Sequence, residues 1–339
     1  MANSDLNSNI INSKKVVHAL RRVAVLYGGR SEEREVSLLT GNAVANALKR
    51  QNCHVDLIDW IGRDSVARLL SENYDCVFIA LHGIDGEDGT VQALLEILEI
   101  PYTGSSILAS ALCMDKLRTK QILKANRLPV LEDMKITKNY TKKLLDEILH
   151  KLGLPLCIKP VQQGSSKGIT KVERAEDLES AIIEALHYDE RVMVEPWLSG
   201  KEYTVGFLNN QALPSIWIEA KQEFYTYDAK YITKDTLYHC PSDLSDEKEQ
   251  QIRKMAQQAF EITGCHDWGR VDLITDQKGN FYILEVNTVP GLTDTSLVPK
   301  AAKSIGISFD ALVLQIMMNA SIKQLAKLHG AVSEDKANA

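Results

Sequence analysis

The chain has 339 residues, 45% hydrophobic and 25% charged, which is the balance of a folded globular protein with two or three domains. A net charge of −6 excludes the broad basic face that nucleic acid or an anionic membrane surface requires, although it leaves room for a local basic pocket. No stretch approaches the roughly 20 consecutive apolar residues that span a bilayer.

Residues 1–15 (MANSDLNSNIINSKK) are rich in Asn and Ser and lack the apolar core of a signal peptide. Residues 1–21 read as a disordered extension, and 322–339 as a tail. Val23–Tyr27 is a short apolar strand that runs into a tight turn at Gly28-Gly29. A helix follows from Glu33 to Arg50, with Val36, Leu39, Val44, Ala47 and Leu48 near one face. Val55–Ile58 reads as a strand. Asp64–Glu72 reads as a short helix capped by Asp64 or Ser65. Val77–Leu81 is another buried strand, and Thr90–Leu98 a helix behind a Gly- and Asp-rich loop. Strands alternating with helices predict a parallel sheet, whose ligands gather at the carboxyl ends of the strands. Gly28-Gly29 and His82-Gly83 sit at such ends.

One helix is expected over Ile107–Asn126 and another over Thr141–Leu152, ended by Gly153 and Pro155. The texture then changes to short strands: Leu156–Val161, Ile169–Val172, Val192–Pro196, Tyr203–Leu208 and Leu213–Ile218. Only Ala175–His187 is helical among them. Asn209-Asn210-Gln211 is a hairpin signal, so the last two strands should pair antiparallel. Ser245–Thr263 is a long amphipathic helix. Val271–Thr275 and Phe281–Val286 form a second hairpin around Gln277-Lys278-Gly279. The expected organisation is an α/β domain over 22–104, then α+β regions over 105–196 and 197–321.

Six cysteines, at 53, 76, 113, 157, 240 and 265, form no CxxC pair and give no zinc signal. They read as reduced thiols, mostly buried, which fits a reducing cytoplasm.

The strongest chemical signal is WGRVDLITDQKGNFYILEVNTVPG, residues 268–291. Side chains alternate faces along a strand. Arg270 and Asp272 therefore share one face, as do Glu285 and Asn287, and a hairpin can bring the two pairs together. Two carboxylates and an amide oxygen are hard ligands suited to Mg²⁺. An arginine beside them would meet phosphates or a developing oxyanion. The plainer alternative is a solvated hairpin face with a surface ion pair, which gives no reason for Asn-Thr-Val-Pro-Gly to follow.

Two weaker signals accompany it. Ile158-Lys159-Pro160 followed by Gln162-Gln163-Gly164-Ser165-Ser166-Lys167-Gly168 is a strand, a small flexible loop and a strand; its backbone N–H groups could wrap a phosphate, or it could be an ordinary hairpin. It is not a Walker A loop, because GxxxxGK[ST] is absent. Leu81-His82-Gly83 and the following Asp85-Gly86-Glu87-Asp88-Gly89-Thr90 form either an acidic helix start or part of a site. A dinucleotide-binding reading of Val23–Gly29 fails because GxGxxG is absent.

Together these segments resemble the ATP-grasp superfamily and, within it, the D-alanine–D-alanine ligase family. The matching stretches are GGRSEEREVSL (28–38), ALHGIDGEDGTVQALLEIL (80–98), PYTGSSILASALCMDKLRTK (101–120), IKPVQQGSSKGITKV (158–172), VEPWLSGKEYTV (194–205), FYTYDAKY (224–231), WGRVD (268–272) and LEVNTVPGLTDTSLVP (284–299). They occur in the family's order and cover nearly all of residues 22–320.

The resemblance implies an N-terminal α/β domain with a parallel sheet and two α+β subdomains that clamp ATP. It implies that Glu33 holds the ammonium of the first D-alanine, with Ser165 and Tyr231 hydrogen-bonded towards it. Lys116 and Lys159 would hold ATP phosphates, helped by Ser166 and Lys230. Glu195, Trp197 and Leu198 would contact adenine, and Glu202 the ribose. Asp272, Glu285 and Asn287 would bind two Mg²⁺ ions, with Mn²⁺ able to substitute. Arg270 and the Gly291 N–H would stabilise negative charge at the reacting carbon. Ser296 and the Leu297 N–H would hold the second substrate's carboxylate, and His82 would lie near the substrates. Residues 224–243 would form a mobile loop that closes over the site. A cytoplasmic homodimer with D-alanine and ATP as its small-molecule partners is also implied.

The chain departs from the family's usual pattern at Gln163, often acidic, at Leu292, often Met, at Ala93, often Gly, and at Asp294-Thr295, often Ser-His. The last pair puts the shape of the second-substrate pocket in question. A ligase for D-alanine with D-lactate or D-serine is the nearest rival. A non-catalytic nucleotide-binding regulator would be expected to have lost a metal ligand.

Overall fold

Val23, Ala24, Val25 and Leu26 are wholly buried because strand β1 (Arg22–Tyr27) lies at the centre of a parallel sheet ordered β2-β1-β3. Such central strands are covered on both faces and so read as continuous apolar runs. The computed structural model describes residues 22–165, 167–219 and 236–320. In chain order, β1 is followed by α1 (Arg34–Arg50), β2 (His54–Asp59), α2 (Arg63–Ser71), β3 (Cys76–Ile79) and α3 (Thr90–Ile97). The turn after β1 requires glycine: Gly28 has φ +70°, and an added Cβ would lie 2.2 Å from Asp59 Oδ1.

Two expectations fail in this region. Leu39 is 60% exposed and not on the buried face of α1, which is formed by Val36, Val44, Ala47 and Leu48 with the small polar residues Ser37 and Thr40. Leu39 instead borders the cleft described below. Neither Asp64 nor Ser65 caps α2. Gly62 holds the cap position, and the Ser65 hydroxyl accepts from the Ile61 N–H and donates to Asp59 O.

The helix expected over 107–126 is two helices, α4 (Ile107–Met114) and α5 (Lys116–Ala125). The break is Asp115, which leaves helical geometry with ψ 96° and accepts the Arg118 N–H on its side chain, 3.0 Å away. An aspartate that can cap a new helix competes with continuing the old one.

Next come β4 (Met134–Thr137), α6 (Lys142–Leu152), β5 (Leu156–Pro160), β6 (Thr170–Val172), α7 (Leu178–Tyr188) and β7 (Arg191–Pro196). They build a four-stranded antiparallel sheet ordered β4-β7-β5-β6. Strand β4, in Met-Lys-Ile-Thr, carries too short an alternation to be read from sequence. It is fixed by pairing with β7, where only Ile136 is fully buried.

The third sheet holds β8 (Glu202–Leu208), β9 (Gln211–Ala212), β10 (Ile216–Glu219), β11 (Leu237–His239), β12 (Trp268–Thr275) and β13 (Phe281–Asn287). Its order is β11-β10-β8-β12-β13, with β9 also on β8, and all pairs are antiparallel. Asn209 and Asn210, both with positive φ, make the turn expected there. Leu237–His239 falls inside the stretch expected to be a loop, yet it adds an edge strand to β10. Helix α8 (Asp246–Ile262) begins on the hydroxyl of Ser245 and packs on this sheet; α9 (Leu297–Ser304) and α10 (Phe309–Met318) close the described chain.

The cores bind these parts together. Ala109, Cys113, Leu123 and Leu128 pack with the third sheet and α8, not with the four-stranded sheet. The parallel sheet shares its core with Trp268 and with α9 and α10. Arg50 on α1 and Asp310 on α10 add a bidentate ion pair across the same seam. All three sheets therefore border one central cleft. Among the described residues no single helix is long and apolar enough to cross a membrane. All six cysteines are free thiols, buried except for half-buried Cys240.

Candidate active site

A cleft of about 300 Å³ opens between the sheets. Every described residue of the predicted set lines it. From the parallel-sheet side come Glu33 and His82. From the middle come Lys116, Lys159, Ser165 and Glu195, and from the third sheet Arg270, Asp272, Glu285 and Asn287. Trp197, Leu198 and Glu202 form one wall, and Gly291, Ser296 and Leu297 another. Ser166, Lys230 and Tyr231 lie outside the described residues, as does most of the expected loop over 224–243.

The hairpin pairs the four polar residues as alternation requires. Arg270 faces Asn287 and Asp272 faces Glu285 across β12 and β13, with a bulge directly after Asp272. Arg270 donates twice to Asp272, Nε to Oδ1 at 2.8 Å and Nη2 to Oδ2 at 2.7 Å. The Thr204 hydroxyl donates to Asp272 Oδ1 at 2.7 Å, and Asn287 Nδ2 to Oδ2 at 3.0 Å. Glu285 lies 3.5 Å from the Lys116 ammonium. The donor set is two carboxylates and an amide oxygen, and Nδ2 of Asn287 points at Asp272. This chemistry fits a hard divalent cation, provided Arg270 yields its hold on Asp272.

Glu33 is buried at the start of α1 and accepts the Ser165 hydroxyl on Oε1. Gly164 permits this contact, because a Cβ there would stand 2.4 Å from Glu33 Oε2. His82 is buried with both nitrogens occupied: Nδ1 is 2.9 Å from Val289 O and Nε2 is 2.8 Å from Thr40 Oγ1. Burial pushes its pKa down despite the nearby Glu33 carboxylate, so the neutral ring is favoured. The neutral tautomer consistent with these partners donates from Nδ1 and accepts the Thr40 hydroxyl on Nε2. The Leu292 N–H reaches Thr40 Oγ1 at 3.4 Å, so one chain of bonds ties α1, the end of β3 and the loop after β13 together.

On the opposite side, Glu195 stands between two buried lysines. Lys120 Nζ donates to Oε2 at 2.6 Å, and Lys159 pairs with Oε1. Burial pushes Glu195 up, but the two ammoniums more than reverse it and hold the carboxylate below its ordinary range. For Lys159 burial pulls down and Glu195 reverses it, leaving the ammonium firmly protonated. The residues expected to meet phosphate and adenine are thus paired with each other.

At the far wall Ser296 precedes α9. Its Oγ accepts the Thr293 N–H at 3.0 Å and lies 2.9 Å from Thr293 Oγ1. The first N–H groups of a helix lack intrahelical acceptors and favour anions, which fits a carboxylate at Ser296 and Leu297.

The family model described as D-ala D-ala ligase C-terminus matches residues 122–318, and the one described as D-ala D-ala ligase N-terminus matches residues 62–105. The chain belongs to the D-alanine–D-alanine ligase family. Among solved structures, it is 33% identical to the D-alanine–D-alanine ligase from Bacillus anthracis, with a TM-score of 0.80 over 91% of this chain and 99% of that one. A structure of the Bacillus anthracis ligase complexed with ATP aligns at 30% identity and TM-score 0.78 over the same shares. The VanG D-Ala:D-Ser ligase from Enterococcus faecalis aligns at 30% identity and TM-score 0.75, over 88% of this chain and 98% of that one. The fold is therefore the ATP-grasp fold of this ligase family.

Two residues lining the ligase cleft, Glu87 and Thr40, and a third directly behind its wall, Lys120, escaped the sequence reading. Glu87 borders it, half-buried, accepting the Gly83 N–H at 2.7 Å and the Val289 N–H at 3.3 Å. Burial and the neighbouring Glu33 push its pKa up to about 8. Its only sequence signal was membership of Gly-Glu-Asp-Gly. Thr40 looked like an unremarkable helix residue. Lys120 stands one turn after Lys116 on α5, a spacing that places both on one face.

Proposed function

We propose that this ligase joins two D-alanine molecules into D-alanyl-D-alanine, converting ATP to ADP and phosphate through an acyl phosphate. A carboxylate at neutral pH is a poor electrophile, and phosphorylating it supplies a leaving group. The observation that carries the reading is the single cleft shared by the Glu33–Ser165 pair, the Arg270–Asp272–Asn287–Glu285 ladder and the buried lysines.

In this reading Glu33, oriented by Ser165, takes the ammonium of the first D-alanine, and Tyr231 extends that network. The first substrate's carboxylate attacks the γ-phosphate of ATP. Lys116 and Lys159, with Ser166 and Lys230, bind the phosphates. Glu195, Trp197 and Leu198 hold adenine, and Glu202 the ribose. Ser296 and the Leu297 N–H hold the carboxylate of the second D-alanine, whose amine attacks the acyl carbon. Arg270 and the Gly291 N–H draw off the negative charge that develops there. His82, neutral and doubly hydrogen-bonded, sets the position of the Val289–Leu292 loop. Asp272, Glu285 and Asn287 would hold Mg²⁺, or Mn²⁺ in its place, which when bound neutralises phosphate charge. Residues around Lys230-Tyr231 exclude water from the acyl phosphate. The surroundings are the cytoplasm and the product a peptidoglycan precursor, with the chain acting as a homodimer.

D-serine as second substrate is the competing reading, supported by the VanG likeness and by Asp294-Thr295 beside Ser296. Phosphate release with ATP and Mg²⁺ is to be measured for D-alanine alone and with D-serine or D-lactate added, and the products separated. D-alanyl-D-alanine should dominate. A mainly mixed product would replace the D-alanine reading, and no amino-acid-dependent phosphate release would end both.

A further inference from the structure

Lys120 does not line the cleft, yet it is one of the most deeply buried charges in the described chain, with its side chain 3% exposed. A lysine is costly to bury unless a counter-charge meets it. It has two: Glu195 Oε2 at 2.6 Å, itself buried, and the partly exposed Asp133, Oδ1 at 3.5 Å. The same Glu195 carboxylate offers its other oxygen to Lys159, which does line the cleft. One buried anion is therefore shared by two cations, one behind the wall and one on it.

We propose that Lys120 is a positioning residue that holds Glu195 as the acceptor for a purine's exocyclic amine and releases Lys159 to the nucleotide's phosphates. The proposal rests on the nucleotide-dependent ligase reading above. Its logic is charge balance. If Lys159 were the sole partner of Glu195, moving it to a phosphate would strand a buried carboxylate. With Lys120 in place the carboxylate keeps a counter-ion throughout. With Oε2 anchored by Lys120, Oε1, the oxygen that Lys159 leaves on the cleft side, accepts from the 6-amino group of adenine. Hypoxanthine presents a carbonyl oxygen at that position, and two acceptors repel.

The test compares wild type, Lys120→Met and Lys120→Arg by calorimetric Kd for ADP and IDP, by kcat/KM for ATP and ITP with D-alanine, and by thermal melting. Wild type should prefer the adenine nucleotide by at least about 10²-fold, a floor well below the roughly 10⁴–10⁵ reached by sites built to hydrogen-bond a specific group. Lys120→Met should reduce that preference at least 10-fold and raise KM for ATP more than it lowers kcat, while Lys120→Arg restores most of it. If Lys120→Met does not fold, the double variant Lys120→Met/Glu195→Gln takes its place, since it removes the buried cation and the buried anion together. It should lose the preference to a similar degree, and Lys120→Arg should then be read beside it. A folded Lys120→Met, or a folded double variant, with wild-type preference overturns the proposal and makes Lys120 purely structural. A wild type that uses ATP and ITP equally also overturns it, and leaves the ligase reading standing. A wild type that binds neither nucleotide overturns the ligase reading, and this proposal with it.

Discussion

Arg270 and Asp272, two positions apart on one face of β12, are clamped by two parallel hydrogen bonds of 2.8 and 2.7 Å. With Thr204 and Asn287 also donating, Asp272 accepts at both oxygens from two sides. The guanidinium thus occupies the carboxylate that the proposed metal requires, so cation binding and release of Arg270 should be coupled. Arg270→Met is predicted to lower kcat by about 10²–10³, the usual cost of one oxyanion donor. It should at the same time reduce the Mg²⁺ concentration needed for half-maximal activity. Titrating Mg²⁺ against activity in both proteins checks this, and an unchanged or raised requirement would refute the coupling.

Gly164 is predicted to act as a spacer for Glu33. Gly164→Ala inserts a methyl 2.4 Å from Glu33 Oε2, so the carboxylate must move. KM for the first D-alanine should rise by about an order of magnitude, which corresponds to roughly 1.4 kcal/mol, while KM for ATP changes little. Steady-state kinetics with each substrate varied separately decides it. A rise in the ATP constant alone would mean the strain is taken up in the loop instead.

Asp115 carries two duties at the break between α4 and α5. It caps α5 through the Arg118 N–H and pairs with Arg191 at 2.7 Å. Asp115→Ala should cost about 1–2 kcal/mol in stability, the range for a lost helix cap. It should also weaken ATP binding, because Lys116 is the first residue of the uncapped helix. Denaturant unfolding combined with nucleotide titration tests both halves. Loss of stability with unaltered ATP affinity would confine Asp115 to structure.

Glu87 gives a pH prediction whose sign follows from its raised pKa of about 8 against 4.5 in an unfolded chain. The protonated form is favoured by folding, so its contribution is complete below pH 4.5 and is lost as pH rises through about 8. Glu87→Gln cannot ionise. The melting temperature of wild type relative to Glu87→Gln should therefore fall between about pH 5 and pH 8 and level off above that. A constant difference across that range would mean that the two backbone N–H donors keep Glu87 ionised throughout.

What the sequence determined by itself was whatever depends on local period. Alternation put Arg270 with Asp272 on one face of β12 and Glu285 with Asn287 on one face of β13, because successive strand residues must point opposite ways; the register that sets the two pairs against each other came from the structure. The continuous apolar run of β1, the Asn209-Asn210 turn and the Ser245 start of α8 were legible from other local signals: a strand covered on both faces, residues that tolerate positive φ, and a hydroxyl that can cap a helix. The resemblance then assembled the distant members of the site. Tertiary structure decided the rest. Asp115 broke a helix that periodicity alone would have continued, since capping and pairing with Arg191 depend on a distant strand. Leu39 left the apolar face of α1 because that face meets the cleft as well as the core. Glu87, Thr40 and Lys120 became part of the site only through contacts with Val289, His82 and Glu195. Their role is to keep buried polar groups and charges paired where the sheets converge, and no local pattern records which distant partner satisfies a buried group.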